Sequence, residues 1–313
     1  MNTTERPLLF ECEGLRLVGV VTEPVGLTAS SDLGLVIVVG GPQVRAGSHR
    51  QFVQLARAVA AEGVPTLRFD VRGMGDSEGS LRNFEHLSAD IQAAIDALQH
   101  AVPAVRRVAL WGLCDGASAA LLYLEDSKHD PRVQGLVLVN PWVRSEASLA
   151  ATRVKHYYAQ RLLQRDFWGK LLRGQVAGQA VRGLVRSLGL VLQPTQQGAA
   201  AGDPATPPFP QRMARAWARF GGSVLLVLSG HDYTAKEFMQ AWASADWAAA
   251  RSHAALHRVD LAEADHTFSA IAQQRLLERH CTQWLETLRQ HATVQPARAA
   301  LHPATKDHAH VLP

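Results

Sequence analysis

A nucleophile, an acid and a base each stand just beyond an apolar run of this 313-residue chain. Cys114 follows Val108-Ala109-Leu110-Trp111-Gly112-Leu113 and precedes Asp115-Gly116-Ala117-Ser118. Glycines two residues before and after a reactive side chain, with small residues following, predict a strand, a very tight turn and a helix start. A Cβ at Gly112 or Gly116 would strike the neighbouring strand or helix, so both glycines have a steric reason to be there. Asp232 follows the run Ser223–Leu228, and His266 follows Leu256–Leu261. Taken singly, each has a plainer reading. A lone cysteine is usually a small apolar core residue, an Asp after a strand is usually a helix cap, and a His ahead of an amphipathic helix is usually a polar first-turn residue. Together, at three strand ends, they read as nucleophile, orienting acid and base.

The chemistry this set can perform is acyl transfer. A thiolate is the attacking species, and a free thiol is little ionised near neutrality. The helix start after Cys114 offers a positive dipole end. His266 can take the thiol proton, and Asp232 can accept from its other ring nitrogen and fix the tautomer. The oxyanion that develops needs preorganised N–H donors. The backbone N–H of Asp115 is one expected donor. The other is expected from the loop Gly40-Gly41-Pro42-Gln43; Pro42 has no N–H, which leaves Gly41 first and Gln43 second. The Asp115 side chain, in the first helical turn, either suits the dipole or tunes substrate access. Asp70 and Asp76 belong to the D-x-R-G-x-G-x-S loop, read as structural and tied down by Arg72 and Asp76. Asp260 and Asp265 are on the wrong side of the strand order to orient His266, and Glu263 is a weaker alternative.

The elements that position these residues alternate. Leu8–Glu13 and Leu15–Thr22 read as a hairpin turned at Gly14. Strands are expected at Leu33–Val39, Thr66–Phe69, Val108–Trp111, Val133–Asn140, Ser223–Leu228 and Leu256–Leu261, with helices at His49–Glu62, Phe84–Val102, after the elbow, at Ala235–Ala250 and from the Glu263–His266 turn to about His291. Strands rich in β-branched residues, joined by crossovers of a dozen residues or more, predict a mostly parallel sheet covered by helices on both faces, an α/β fold. Functional groups in such sheets collect at the carboxyl ends of strands. The alternation stops between Val143 and Phe220, so four regions are expected. Residues 1–142 begin the core, 143–220 form a helical basic lid, 221–291 complete the core, and 292–313 are a disordered tail.

Composition narrows the function. Hydrophobic residues make up 47% and the net charge is +4, enough for a large core and too mild to imply nucleic acid, since no basic stretch is interleaved with aromatics. Three cysteines, far apart and without a CxxC pair, suggest neither a disulfide framework nor a zinc site. No signal-peptide layout or apolar run of about 20 residues is expected, and a reduced, cytoplasmic protein without cofactor or metal is the simplest reading. His302, His308 and His310 read as belonging to a solvated tail. In the lid, twelve basic residues (among them Arg212, Arg215 and Arg219) face only Glu146, Asp166 and Asp203. That imbalance points either to an anionic substrate or to a solvated face.

On the stretches VIVVGGPQVRAGSHRQFVQLARAVA, LRFDVRGMGDSEG, LWGLCDGASAALLY, VLVNPW, LLVLSGHDYTAKEF and EADHTFS, the chain resembles the α/β-hydrolase superfamily, and within it the exosortase A system-associated hydrolases of type 1. The chain order nucleophile, acid, histidine is that superfamily's order. The resemblance spans about residues 33 to 270 and implies a cysteine-dependent hydrolase in a bacterial setting of exopolysaccharide production and protein sorting. The expected activity is cleavage of an ester or thioester of a small acyl substrate through a Cys114 acyl-enzyme. Acyl transfer to another acceptor, and a non-catalytic binding protein on the same scaffold, stay open as alternatives.

Overall fold

The computed structural model describes residues 3–26, 31–41, 43–144 and 206–299. Eight strands form one sheet in the order β1-β2-β4-β3-β5-β6-β7-β8. The hairpin β1 (Thr3–Cys12) and β2 (Leu15–Pro24) joins antiparallel at one edge, and β2 meets β4 antiparallel. From β4 onward every pair is parallel. The strands are β3 (Leu33–Val38), β4 (Thr66–Phe69), β5 (Arg107–Leu113), β6 (Val133–Val139), β7 (Ser223–His231) and β8 (Leu256–Asp265). All six residues of β3 are buried, as a strand covered on both faces requires.

Among the described residues the helices are α1 (Gln51–Ala61), α2 (Ser88–Ala101), α3 (Asp115–Asp126), α4 (Phe209–Arg219), α5 (Tyr233–Trp242), the single turn α6 (Ala248–Arg251) and α7 (Ile271–Ala299). One face of the sheet packs its core from Ile37, Trp111, Val137 and Leu225 against Phe52 and Leu55 of α1 and Cys281, Trp284 and Leu285 of α7. The Phe52 and Trp111 rings meet edge to face at 5.4 Å. In the loop at residues 70–79, the Arg72 guanidinium is bound by Asp90 of α2, both side chains essentially inaccessible. Asp70 and Asp76 both pair with Arg45. The structural reading of this loop thus stands on partners, Arg45 and Asp90, that lie outside the motif itself.

Two compact units are present: Met1–Val143 with Gln211–Pro313, and Arg144–Pro210. Most of the expected lid lies outside the described residues, and so does the chain after residue 299. Within the expected lid, α4 from Gln211 onward belongs to the first unit. Met213, Ala214, Ala216 and Trp217 of this helix are buried, and Trp217 packs on Trp242 at 4.9 Å and on Trp247 at 6.0 Å. Arg212 and Arg215, read as members of an unpaired basic face, bind Asp126 and Glu125 of α3.

Several boundaries differ from expectation; β1, for one, begins at Thr3 and not at Leu8. The helix expected over Ala235–Ala250 ends at Trp242, and the chain folds back through an extended Ser244 to bury Trp247 against Trp242 and Phe238. The last helix continues to Ala299, past its expected end near His291. Residues 263–265, expected in a turn, remain in β8, because β7 and β8 keep pairing beyond a bulge at Ser229/His231, and His231 is the partner of Asp265. Asp232 and His266 are therefore each one residue beyond a paired position on adjacent parallel strands.

Candidate active site

Cys114 lies between the end of β5 and the start of α3 with φ 60° and ψ −124°, a conformation L-residues rarely adopt. Neighbouring backbone holds this strained residue. The Cys114 N–H donates to the Val139 carbonyl at 2.9 Å, and its own carbonyl accepts from the N–H of Ala117 and Trp142. Ser118 Oγ ties the same region to the Trp142 carbonyl at 2.6 Å. The flanking glycines are required sterically: a Cβ on Gly112 would collide with the Gly116–Ala117 backbone, and a Cβ on Gly116 would meet the Val38 carbonyl.

The three cysteines separate by environment. Cys12 and Cys281 are buried, and Cys114 is partly exposed. Burial pushes the Cys281 thiol up to about 12 and raises that of Cys12 as well, which keeps both in the unreactive thiol form. The small-core-residue reading of a cysteine fits those two.

Asp232 Oδ2 accepts from His266 Nδ1 at 2.8 Å. The same carboxylate caps α5, taking the N–H of Thr234 at 3.0 Å and of Ala235 at 3.3 Å. The helix-cap and imidazole-partner readings of Asp232 therefore hold together in one side chain. The bond to Asp232 is the largest influence raising the imidazole above its ordinary value, opposed by burial and assisted by the nearby charge of Asp115. Asn140, fully buried with φ 45°, clamps the strand end that carries Asp232: its Nδ2 donates to Ser229 Oγ at 2.9 Å and its Oδ1 accepts the Ser229 N–H at 2.8 Å. Nothing in the local pattern around Asn140 marks it from sequence.

The other acids have structural partners. Asp265 accepts the N–H groups of Thr267 and Ser269 and so shapes the turn after His266, while Asp260 pairs with Arg258.

The expected oxyanion region holds a carboxylate. Asp115 Oδ2 accepts the Gly41 N–H at 2.7 Å. Burial nonetheless dominates and pushes the Asp115 carboxyl up, against the Gly41 N–H and the His266 charge. Of the donors expected for an oxyanion, Gly41 thus already has an acceptor, and Gln43 buries a side-chain oxygen without a partner. Gly40 leaves the room for this arrangement, since a Cβ there would overlap Asp115 Oδ1 and the Gly116 nitrogen. A cavity of about 230 Å³ adjoins Gly40, Gly41 and Asp115, walled by Val71, Met74 and Phe84, with Arg82 on its lining. Among the described residues, no cluster of His, Cys, Asp and Glu could hold a metal ion, and no helix is long and apolar enough to cross a membrane.

Comparison with known proteins adds to this geometry. Residues 33–180 match the family described as Serine aminopeptidase, S33 (Hydrolase_4). The esterase Pf2001 of Pyrococcus furiosus superposes with a TM-score of 0.59 at 15% identity, over 91% of this chain and 92% of that one. Est1E from Butyrivibrio proteoclasticus, with ferulic acid bound, superposes with a TM-score of 0.58 at 14% identity, over 90% and 98% of the two chains.

The chain has the α/β-hydrolase fold.

An α/β serine hydrolase homologue from Coxiella burnetii shares that fold, with a TM-score of 0.52 at 16% identity over 90% of this chain and 97% of that one. No curated protein matches the sequence. The nucleophile elbow of the α/β-hydrolase fold usually carries serine; this chain has Cys114 there.

Proposed function

We propose that this α/β-hydrolase-fold protein is a cysteine-dependent hydrolase that cleaves an ester or thioester. The observation that carries the reading is the 2.8 Å bond between Asp232 and His266, at strand ends on the same side of the sheet as the Cys114 elbow. In the reaction, His266 takes the Cys114 proton, and the thiolate sulfur attacks the acyl carbonyl carbon. The carbonyl π pair moves to oxygen, then returns as the C–O or C–S bond to the leaving group breaks. The leaving group takes its proton from the His266 imidazolium. Water, deprotonated by the same imidazole, then attacks the thioester carbon, releasing the acid and restoring the thiol. Asp232 stays ionised and steadies the imidazolium.

The GGPQ and GLCDG stretches resemble those of the exosortase A system-associated hydrolases, and we carry that setting over with the cysteine mechanism. The esterases that share the fold support an ester as the first substrate to try. The basic lid supports an anionic substrate less than its composition suggested, because Arg212 and Arg215 are neutralised within the first unit.

The test is iodoacetamide labelling mapped by peptide mass analysis, alongside hydrolysis of p-nitrophenyl and acyl-thioester substrates of graded chain length. The reading expects labelling confined to Cys114, slowed in a His266→Ala variant, with Cys114→Ala devoid of hydrolysis. If Cys114 labels no faster than a free thiol and no ester or thioester is turned over, the chain is a binding protein on a hydrolase scaffold.

A further inference from the structure

We propose that Asp115 is a specificity-determining residue: its carboxylate occupies the Gly41 N–H, an expected donor of the oxyanion hole, and only a substrate whose apolar acyl group fills the adjoining cavity displaces it. This inference rests on Cys114 being the nucleophile.

The geometry supplies both halves. An oxyanion hole is a set of N–H groups fixed around the place where negative charge develops. Here the Gly41 N–H, an expected donor to that oxyanion, donates to the Asp115 carboxylate at 2.7 Å. A carboxylate has the charge and lone-pair directions of the oxyanion it replaces, so the side chain is an internal ligand of its own site. The glycine at position 40 is what admits it, since a side chain there would overlap Asp115 Oδ1. A substrate carbonyl cannot use the Gly41 N–H while it is taken. A neutral carbonyl oxygen is also a poorer acceptor than the carboxylate, so the exchange is uphill unless another portion of the substrate contributes.

The cavity beside Asp115 is where that contribution is available. Its wall is mainly apolar (Val39, Val71, Met74, Phe84 and Leu87), and at about 230 Å³ it is smaller than the roughly 300 Å³ at which drug-sized pockets begin. It suits a short aliphatic or aromatic acyl chain. Each methylene withdrawn from water there strengthens binding about fourfold. Several together can offset the loss of that charge-assisted bond, worth roughly tenfold to a hundredfold. An acetyl group has no such reserve. The substrate class that follows is an ester or thioester of a compact apolar acid, and acetyl esters are rejected.

Trifluoromethyl ketones test this directly. The Cys114 sulfur adds to the ketone carbon, the carbonyl π pair becomes an oxyanion, and the hemithioketal requires the hole without any leaving group. Inhibition by 1,1,1-trifluoroacetone and by 1,1,1-trifluoro-2-octanone is compared in the wild type, Asp115→Ala and Asp115→Asn, with iodoacetamide labelling of Cys114 in each. The expected result is a strong wild-type preference for the octanone. That preference should shrink about tenfold or more in both variants, because trifluoroacetone binding tightens, and Cys114 is still labelled in each. A modest drop in thermal midpoint is expected, since the variants lose or weaken the bond to the Gly41 N–H, but Gly41 is exposed and water can take the place of the acceptor. Absence of Cys114 labelling in the wild type removes the nucleophile reading and the proposal with it. Normal labelling with an unchanged chain-length preference, or with weaker binding of both ketones in both variants, overturns the assignment of Asp115 and leaves the nucleophile standing.

Discussion

Asp232 Oδ2 and His266 Nδ1 lie 2.8 Å apart, one residue beyond the paired positions His231 and Asp265 of adjacent parallel strands. The relationship is set by backbone pairing and is not left to loop conformation. An imidazole raised by that carboxylate loses its proton only above its ordinary value of about 6.5. Where hydrolysis needs the neutral base, activity falls as pH drops through the raised value. Asp232→Asn keeps a residue that caps α5 as well as Asp does, so its thermal midpoint should stay near wild type. The acid limb of kcat/KM should move to lower pH, because the influence that lifts the imidazole is gone. The maximal rate should fall by up to about 10⁴-fold, the loss seen when a triad acid becomes an amide. Rate profiles from pH 5 to 9 together with proton NMR of the imidazole check both effects. An unmoved acid limb would separate Asp232 from the base.

The elbow glycines give a second expectation, about folding. Gly112→Ala places a methyl into the Gly116–Ala117 backbone, which no side-chain rotation can relieve. Overpacking of this kind costs about 1–3 kcal/mol or more. The variant should show a lower denaturation midpoint in urea with an unchanged slope. Gly221→Ala, where nothing lies within 4 Å of the added Cβ, is the control and should unfold near wild type.

Arg72 and Asp90 supply a third. Both are buried, and Asp90 binds the guanidinium through Nε and Nη2 as well as the Arg72 backbone N–H. Asp90→Ala leaves the buried guanidinium with only the exposed Glu13 as carboxylate partner, an effect of up to about 3–5 kcal/mol. The paired change Arg72→Met with Asp90→Leu removes both charges and should recover some of that loss. Urea denaturation of the three variants measures the difference, and a double variant no more stable than Asp90→Ala would contradict the charge argument.

What the sequence makes legible here is what short-range rules govern. Strand alternation, the β3 burial run, and the two glycines around Cys114 follow from residue type and period, and the sheet and elbow agree with them. The partners of Arg72, Arg212 and Arg215 do not follow, because Asp90, Asp126 and Glu125 come from elements brought alongside by tertiary packing. The break after Trp242 has the same origin: a continuous helical pattern loses to the burial of Trp247 in an aromatic cluster. At the site, chain position alone nominates both Gly41 and Asp115 as oxyanion donors. Their mutual bond is beyond its reach, since nothing in a one-dimensional pattern says that a first-turn carboxylate turns back onto a glycine 74 residues earlier. The GG and CDG stretches contain the signal only when read together.

Asn140 offers the last test, one that separates positioning from fold. It sits at φ 45° and returns two hydrogen bonds to Ser229, three residues before Asp232. Asn140→Ala strands the buried Ser229 N–H at about 1–3 kcal/mol and puts an alanine in a left-handed conformation. Asn140→Gly loses the same hydrogen bonds but tolerates that conformation, so it should be the more stable of the two by roughly 1 kcal/mol. If the clamp positions the acid, both variants lower kcat by a similar factor despite their different stabilities, and KM changes little. Such a pattern ties the loss to Ser229 and the β7 end. A kcat that instead tracks the stability difference assigns Asn140 to the fold alone. Steady-state kinetics on one ester, measured well below both thermal midpoints, distinguishes the two outcomes.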